Sequence, residues 1–503
     1  MDIASIVQDN IASLRYFVPE LVLTGIVLFL VIADLVLGRR RSAWLSFITL
    51  AGLAVTFYFV LQQYDLGNRH LFGNMLAVDP FALYFKILFL VSGALVIFLS
   101  IGSIELAGRP VGEYFTLIVA LVLGMFLMAS ATNLLTIFIS IELVSVISFV
   151  LASYLKSRKR SSEAGLKYAI YGAFSSGLML YGLSLLYGLT GTLNLYEIRE
   201  ALASAEAPAL TMVVSTILIL GGFGYKIASV PFHFWSPDVY EGAPTPITAL
   251  LSVGPKAAGF AVLIRFFNVT FATSATNGHA EAWGALSNID WPLVLAIVSA
   301  ATMTLGNLVA IVQNNVKRLL AYSSIAHAGY ALMGTVLLTS DGIHATLYYL
   351  FVYYLMNLGA FLVVIVFQDL VKSEDIDSYK GLAWKAPIPA IAMGVFLFSL
   401  TGLPPTAGFI GKFYLFAAII KSNSQFYWLA IVGIANSVIS LYYYARILKA
   451  MFFDQSDEKS TIAVSPYYTV LLGVLAIPLV LLGLYWSPLD ALATFSVEFL
   501  RTL

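Results

Sequence analysis

Glu142, Lys226, Lys256 and Lys412 stand near the middles of long apolar runs, where a charged side chain is hardest to accommodate. A charge at the centre of a bilayer-spanning helix costs roughly 2.5–3.5 kcal/mol on insertion scales, so such groups face a protein interior or a wet cavity and pair with one another. Four in one chain point to a pathway for charge. Glu142, in Ile137-Phe-Ile-Ser-Ile-Glu-Leu-Val-Ser145, reads as one half of an ion pair; a neutral carboxylic acid hydrogen-bonded to a neighbouring helix is the alternative. Lys226 is its natural partner, because a nearby carboxylate favours the ammonium that desolvation disfavours. Moving Glu142 away, or neutralising it, would loosen the lysine's hold on its proton, and the two groups would titrate as one coupled system.

Lys256 lies in Ser252-Val-Gly-Pro-Lys-Ala-Ala-Gly259, where Pro255 frees the carbonyl of Leu251 and the glycines admit another helix or water. It reads as a central relay; the alternative, snorkelling to the surface, has about 15 Å of helical rise against it. Lys412 closely follows the break Thr401-Gly-Leu-Pro-Pro405 and reads as a proton site beside unwound backbone. Gly408-Phe-Ile-Gly-Lys412 is not a phosphate loop, since Phe413 stands where a Ser or Thr should hold magnesium and the run is intramembrane. His327, in Ser323-Ser-Ile-Ala-His-Ala-Gly329, is also near a span midpoint and reads either as a group able to titrate near neutral pH or as a structural donor to a carbonyl. His233, with Asp238 and Glu241, either lines an entry route or stabilises its turn, and the turn is preferred. Glu20, Asp34, Lys86, Glu105 and Lys167 lie nearer span ends and read as solvated or snorkelling side chains. Histidines and carboxylates are not clustered at metal-ligand spacing, and the glycines at 221, 222 and 224 lack the flanking elements of a dinucleotide fold.

Such groups have to be held by elements that cross a bilayer. The chain has 503 residues, 60% hydrophobic and 11% charged, far from the roughly 25% charged of soluble proteins; its mean hydropathy is +0.90. The expected spans cover roughly 17–37, 44–63, 79–103, 112–130, 132–154, 164–187, 209–230, 245–268, 292–312, 319–338, 342–368, 387–420, 426–453 and 465–486. Continuous apolarity over such lengths argues for helices and against a barrel. The fold class is therefore an all-α integral membrane protein with about fourteen transmembrane helices. Residues 193–206 read as an interfacial amphipathic helix and 372–386 as a solvated loop.

Spans seven and twelve are interrupted alike, by Gly221-Gly-Phe-Gly-Tyr-Lys226 running into Pro231 and by Gly402 with Pro404 and Pro405. Proline in a helix interior frees the carbonyl four residues earlier, here those of Ile227, Leu400 and Thr401. Freed backbone at membrane depth is tolerated only inside protein or against water. The two breaks are five spans apart, and an odd number of spans per unit gives units of opposite topology, so two inverted five-helix repeats are expected. The resulting division is an N-terminal three-helix segment (1–111), a first repeat (112–270), a second repeat (271–453) and a C-terminal helix (454–503).

Lys+Arg and Asp+Glu number 27 each, so net charge suggests no nucleic-acid partner. The odd-numbered loops hold Arg39, Arg40, Arg41, Arg109, Lys156, Arg158, Lys159, Arg160, Lys167, Lys317, Arg318, Lys372, Lys380, Lys385, Arg446, Lys449 and Lys459, whereas the even ones hold Arg69, Arg199, Arg265 and Lys421. By the positive-inside rule the odd loops are cytoplasmic and both termini lie on the other side. With no cysteine, the chain offers no thiolate for an iron–sulfur cluster, a catalytic thiol or a disulfide. Its first sixteen residues do not read as a cleaved signal peptide, so the first span is expected to be retained.

Lys226 with Val230-Pro-Phe-His-Phe-Trp-Ser-Pro-Asp-Val-Tyr-Glu-Gly-Ala-Pro-Thr-Pro246, Gly254-Pro-Lys256, Lys317-Arg-Leu-Leu-Ala-Tyr-Ser-Ser324 and Leu400-Thr-Gly-Leu-Pro-Pro-Thr-Ala-Gly-Phe-Ile-Gly-Lys-Phe413 form a set of motifs. In them the chain resembles the antiporter-like membrane subunits of respiratory complex I, the NADH-quinone oxidoreductase, over nearly its whole length. The resemblance implies a fourteen-helix bundle with two inverted five-helix repeats and a polar axis. Glu142 and Lys226 then resemble the modulating glutamate–lysine pair, Lys256 the central lysine and Lys412 the terminal site. Lysine at 412 argues against the sister subunit that usually carries glutamate there. An end just after span fourteen argues against the sister with a long lateral helix.

What this implies is a proton-translocating membrane-arm subunit, multi-pass in a bacterial inner membrane. Its partners would be the other membrane-arm and peripheral-arm subunits, the lipid bilayer and protons. No cofactor is expected in this chain; NADH, FMN, iron–sulfur clusters and quinone would belong to partner subunits. Two alternatives stand beside it: a subunit of a multi-subunit cation/proton antiporter, and a stand-alone secondary solute transporter.

Overall fold

A computed structural model describes residues 3–37, 42–107, 111–204, 208–273, 284–285, 290–422, 424–454 and 463–497. Arg39, Arg40, Arg41, Arg109 and Lys459, which entered the topology argument, lie outside the described residues. Helix α1 (Ile3–Leu14) precedes α2 (Val18–Leu37), α3 (Ser42–Leu61) and α4 (Pro80–Ile101), with a hairpin of β1 (Arg69–Leu71) and β2 (Leu76–Val78) between α3 and α4. Then come α5 (Gly112–Ser130), α6 (Leu134–Ala152), α7 (Lys159–Thr190), α8 (Leu195–Ser204), α9 (Ala209–Ile227), α10 (Trp235–Gly242) and α11 (Thr245–Thr270). The remainder is α12 (Trp291–Ile311), α13 (Val316–Thr335), α14 (Ser340–Val371), α15 (Leu382–Lys385), α16 (Pro387–Thr401), α17 (Ala407–Ser422), α18 (Tyr427–Phe452), α19 (Pro466–Leu484) and α20 (Ser487–Val497).

Twelve helices among the described residues are long and apolar enough to cross a membrane. A helix satisfies its backbone hydrogen bonds within itself, which is why apolar runs of this length fold this way where no water is available. Adding α13 and the pair α16–α17 gives the fourteen expected crossings. Helix α13 is less apolar because it carries Lys317, Arg318, Ser323, Ser324 and His327, and most of it is buried within the chain. Helices α11 and α14 pack on each other at the centre, almost completely covered by the rest of the protein. The amide of Asn357 on α14 donates to Ser252 Oγ on α11 at 2.5 Å.

Both interrupted spans end their first half in the same way, before the prolines. In α9 the Ser229 N–H donates to the Gly224 carbonyl (2.8 Å) and the Ala228 N–H to that of Tyr225 (3.1 Å), with Ala228 left-handed at φ 59°. In α16 the Leu403 N–H donates to the Phe398 carbonyl (3.0 Å) and the Gly402 N–H to that of Ser399 (3.0 Å), with Gly402 at φ 87°. Both are Schellman closures, which satisfy the last carbonyls without a continuing helix. The break therefore sits at Ala228 and Gly402 rather than at Pro231 and Pro404. Pro255 breaks nothing, since α11 runs through it. Helix lengths also recur five spans apart: 32 residues in both α7 and α14, and 26 in both α11 and α18.

Three other expectations need correction. The segment 372–386 is not simply solvated, because Ile376, Tyr379, Leu382, Ala383 and Ala386 are buried. Arg265 is not a loop residue: it lies inside α11, completely buried, and makes paired hydrogen bonds to Asp79 at 2.7 and 2.9 Å. Glu20 and Lys86 do not snorkel but form a buried ion pair at 2.6 Å, with Gln63 as a further acceptor for the lysine. Each charge finds its opposite, which is how a fold retains charges in an apolar interior.

Candidate functional site

Lys226 occupies the last turn of α9, just before the left-handed Ala228. It is 2% exposed, and its Nζ donates to Ser145 Oγ on α6 at 3.0 Å. The close approach depends on Gly259 of α11, where an added Cβ would come within 3.2 Å of the Lys226 stem. Glu142, one turn before Ser145 on α6, is half-buried and accepts a hydrogen bond from Ser176 Oγ of α7. The expected Glu142–Lys226 ion pair is therefore not closed. The two groups contact different serines, and no N···O distance between them falls within 4.0 Å.

Lys256 lies halfway along α11 and is 3% exposed. Its Nζ donates to Ser324 Oγ of α13 at 2.5 Å and lies 5.5 Å from the centre of the Tyr240 ring. The same Ser324 oxygen accepts from the Tyr353 hydroxyl of α14 at 2.7 Å, with the Tyr240 hydroxyl 3.4 Å away. Tyr353 stacks on the His327 ring, centroids 5.1 Å apart. His327 presents Nδ1 to the Tyr349 hydroxyl at 2.5 Å and Nε2 to that of Tyr444 at 3.2 Å. It is thus held by two tyrosines, not by a backbone carbonyl.

Lys412 follows in α17, 4% exposed. Its Nζ donates to the Thr401 carbonyl, left at the end of α16 by the break, at 2.9 Å, and to Ser437 Oγ at 3.1 Å. Ser437 reaches the Tyr330 hydroxyl at 3.3 Å, and the ammonium sits 4.4 Å over the Tyr330 ring, which is itself against His327. An aromatic face stabilises a cation without fixing it.

None of the three lysines has a carboxylate within 4.0 Å among the described residues. A buried lysine with neutral partners exchanges its proton, in contrast to an arginine, whose charge is permanent. Serine and tyrosine hydroxyls both donate and accept, so a proton taken up on one side can be passed on from the other. Lys256, Ser324, Tyr353, His327, Tyr330, half-buried Ser437 and Lys412 form a run of such groups, joined by hydrogen bonds and ring contacts. No side-chain hydrogen bond among the described residues joins the Lys226 site to this run.

Towards the side rich in basic residues, α10 carries Asp238 and Glu241. Asp238 meets Lys167 and Arg318 at 2.6 Å each, and Glu241 meets Arg318 at 2.9 Å and Arg160 at 3.4 Å, around a cavity of about 190 Å3. Burial pushes the Asp238 carboxyl up, but hydrogen bonds from Lys167 and Arg318 prevail and hold it below the usual range. His233 is 3% exposed with its Nδ1 unpartnered, and it belongs to neither network. Lys167 is salt-bridged rather than free, and Glu105 is buried at the start of α11. The Glu105 carboxylate accepts the Thr245 N–H at 2.8 Å and contacts Arg158.

A family described as NADH:quinone oxidoreductase/Mrp antiporter, transmembrane, matches residues 131–440. The chain is 50% identical over 501 residues to NADH-quinone oxidoreductase subunit N 2 of Chloroherpeton thalassium, covering 98% of this chain and 97% of the relative. The chain belongs to this antiporter-like family. A chain of respiratory complex I from Thermus thermophilus matches with TM-score 0.77 at 30% identity, covering 95% of this chain and 99% of that one. A chain of the Mrp complex from Dietzia sp. DQ12-45-1b matches with TM-score 0.80 at 19% identity over 97% and 98%, a likeness of fold alone.

In this antiporter-like chain the residues that sequence reasoning missed are the hydroxyls: Ser145, Ser324, Tyr349, Tyr353, Tyr444 and Ser437. Only Ser324 carried a signal, as the last residue of the Lys317–Ser324 motif. The others are ordinary serines and tyrosines until the fold places them beside a lysine or the histidine.

Proposed function

We propose that this antiporter-like chain is a proton-translocating membrane-arm subunit of an NADH-quinone oxidoreductase. The observation that carries the proposal is the buried run from Lys256 through Ser324 and His327 to Lys412, which bears exchangeable protons and no fixed counter-charge. Lys226 and Glu142 form the entry end. Breaking the Ser145 contact and bringing Glu142 closer would change how tightly Lys226 holds its proton. Electron transfer from NADH through flavin and iron–sulfur clusters to quinone belongs to partner subunits, in keeping with a chain that has no cysteine. Those partners are the other membrane-arm and peripheral-arm subunits.

The matched lengths of α7 with α14 and α11 with α18, and the two identical closures at Ala228 and Gly402, support two inverted repeats covering 112–270 and 271–453. The excess of lysine and arginine near Arg158, Lys317 and Lys372 supports a cytoplasmic placement of that side in a bacterial inner membrane, with both termini opposite. A cation/proton antiporter subunit has the same fold, but 50% identity to a subunit N relative against 19% to the Mrp chain favours the oxidoreductase. A stand-alone transporter would move solute when reconstituted by itself.

The test replaces Glu142, Lys226, Lys256 and Lys412 singly with alanine and measures NADH-driven proton uptake in inverted membrane vesicles alongside assembly of the complex. Loss of pumping in the assembled lysine variants is expected. Wild-type pumping in all four, with normal assembly, overturns the proposal.

A further inference from the structure

A second titratable cluster lies at the opposite end of α14 from the basic side. Thr339 caps this helix by accepting the Gly342 N–H at 3.1 Å. Within its first two turns His344 lines a cavity of about 240 Å3, together with Asp341, Tyr414, Lys421 and Asp490. Asp490 comes from α20, whose packing on α14 brings its Oδ1 to 3.2 Å from His344 Nε2. The contact has the length of an ion pair but not the alignment of a hydrogen bond, so Nε2 is buried without a hydrogen-bond partner. The pair runs from cover to solvent, with the imidazole 16% and the carboxylate 39% exposed.

From His344 a line of polar rings leads inward. The Tyr414 ring stands edge-on to both His344 (5.3 Å) and Tyr348 (5.0 Å). Tyr348 lies one turn further along α14, and its hydroxyl is buried with no hydrogen-bond partner. The next residue is Tyr349, whose hydroxyl contacts His327. Gly411, immediately before Lys412, packs on the same Tyr349 ring, where an added Cβ would lie 3.0 Å away. One helix therefore carries both a side chain that lines the open cavity and a hydroxyl held against the histidine of the relay, separated by about 7.5 Å of helical rise from His344 to Tyr349.

We infer that His344, with Asp490 as its counter-charge, is the group through which protons leave the relay for the non-cytoplasmic side. The inference rests on the proton-transfer reading above and adds an exit to it. The imidazole takes a proton on one ring nitrogen, the Asp490 carboxylate balances the resulting imidazolium, and the proton passes to water in the cavity, restoring the neutral ring. The groups facing it are Asp341 and Tyr348 on α14, Tyr414 and Lys421 on α17, and Asp490 on α20. Lys421 and Asp341 lie 3.8 Å apart, so the nearest cation is largely offset and Asp490 remains the group that answers the imidazole.

The test uses inverted vesicles containing the whole complex, whose lumen corresponds to the non-cytoplasmic side. The lumenal pH is preset at values between about 5 and 8 while the external pH is fixed. In the wild type, initial NADH-driven pumping falls as the lumen is acidified. The H344Q variant loses about tenfold or more of its pumping and the dependence on lumenal pH, with NADH–ferricyanide activity and assembly retained. The D490N variant also pumps less than the wild type, because the imidazolium has lost its counter-charge; partly exposed Asp490 keeps the test open if H344Q fails to assemble. Wild-type rates and lumenal pH dependence in the assembled variants, while K256A is inactive, overturn the exit and leave the relay standing. If K256A also pumps normally, the relay itself fails and the exit with it.

Discussion

Replacing Ser324 with alanine tests whether the hydroxyls carry the relay or merely fill space. Its Oγ receives two donors, the Lys256 ammonium at 2.5 Å and the Tyr353 hydroxyl at 2.7 Å, and the residue is completely buried. A hydrogen bond to a charged group contributes about 1.5–3 kcal/mol, and at 1.4 kcal/mol per factor of ten its loss weakens the hold on the Lys256 ammonium by about 10- to 150-fold. Tyr353→Phe removes only the neutral donor, about 0.5–1.5 kcal/mol, or about 2- to 10-fold. Neither change enlarges a side chain, so overpacking does not confuse the comparison. NADH-driven acidification of inverted vesicles, normalised to assembled complex by NADH–ferricyanide activity, should rank wild type above Tyr353→Phe and Tyr353→Phe above Ser324→Ala. Wild-type pumping by Ser324→Ala in a background where Lys256→Ala is inactive would show that Lys256 passes its proton elsewhere.

Gly402→Ala puts a side chain at φ 87° and 2.8 Å from Lys412 Cδ; with about 1–2 kcal/mol for the left-handed backbone alone, both pumping and thermal stability of the complex should drop, and unchanged values for both would refute the strain argument. Asp79→Asn removes the carboxylate that accepts both paired hydrogen bonds from the buried Arg265 guanidinium, a loss of about 3–5 kcal/mol that should abolish assembly on native gels, whereas replacing both residues by apolar ones should restore it. Burial acts to raise the Glu105 carboxyl, but Lys317, the Thr245 N–H and Arg158 outweigh it and hold the group below the usual range. Its contribution to stability is therefore full above the unfolded carboxylate value of about 4.3 and is lost as pH falls through the folded one. Glu105→Gln should lower the unfolding temperature at pH 7 and narrow its gap to wild type as the pH is taken below about 4, and a gap that stays constant with pH would refute the assignment.

The spans were legible because apolar length is a local property, and so were Lys226, Lys256 and Lys412, since an ammonium in an apolar run stands out without any partner in view. Their partners were not. Ser145 is 81 positions from Lys226 and Ser324 is 68 from Lys256, and nothing along the chain assigns either serine to its lysine. The same non-locality turned Lys86 and Glu20 from apparent snorkellers into a buried pair, and Arg265 from a loop cation into an α11 residue whose partner begins α4. Proline was a sound marker that α9 and α16 stop, but not of where, because a helix can close on a left-handed residue before the proline is reached. Asp490 escaped because the short α20 is too brief and too polar to read as a span.

The chain sorts its buried charges into two kinds, and the sorting follows from what each has to do. Lys86 with Glu20 and Arg265 with Asp79 are closed pairs of opposite charge, and arginine cannot release its proton at all. Lys226, Lys256 and Lys412 are open, lined by hydroxyls, a carbonyl and aromatic faces. The closed pairs also bear on the open ones. Arg265 ties the far end of α11 to α4, and Glu105, in the 3-10 turn Ile104–Leu106 after α4, takes the first N–H of α11 at Thr245. The helix that carries Lys256 is thus fixed at both ends to the residues that flank α4. Its middle holds Gly254, against which Met125 packs, and Gly259, against which the Lys226 stem packs. A relay needs small, repeatable displacements at the lysine and none in the register of the helix. An ion pair at one end and a hydrogen bond to a carboxylate at the other, with neutral, exchangeable partners in the middle, meet both needs, which gives α4 and the turn after it a mechanical part in holding Lys256.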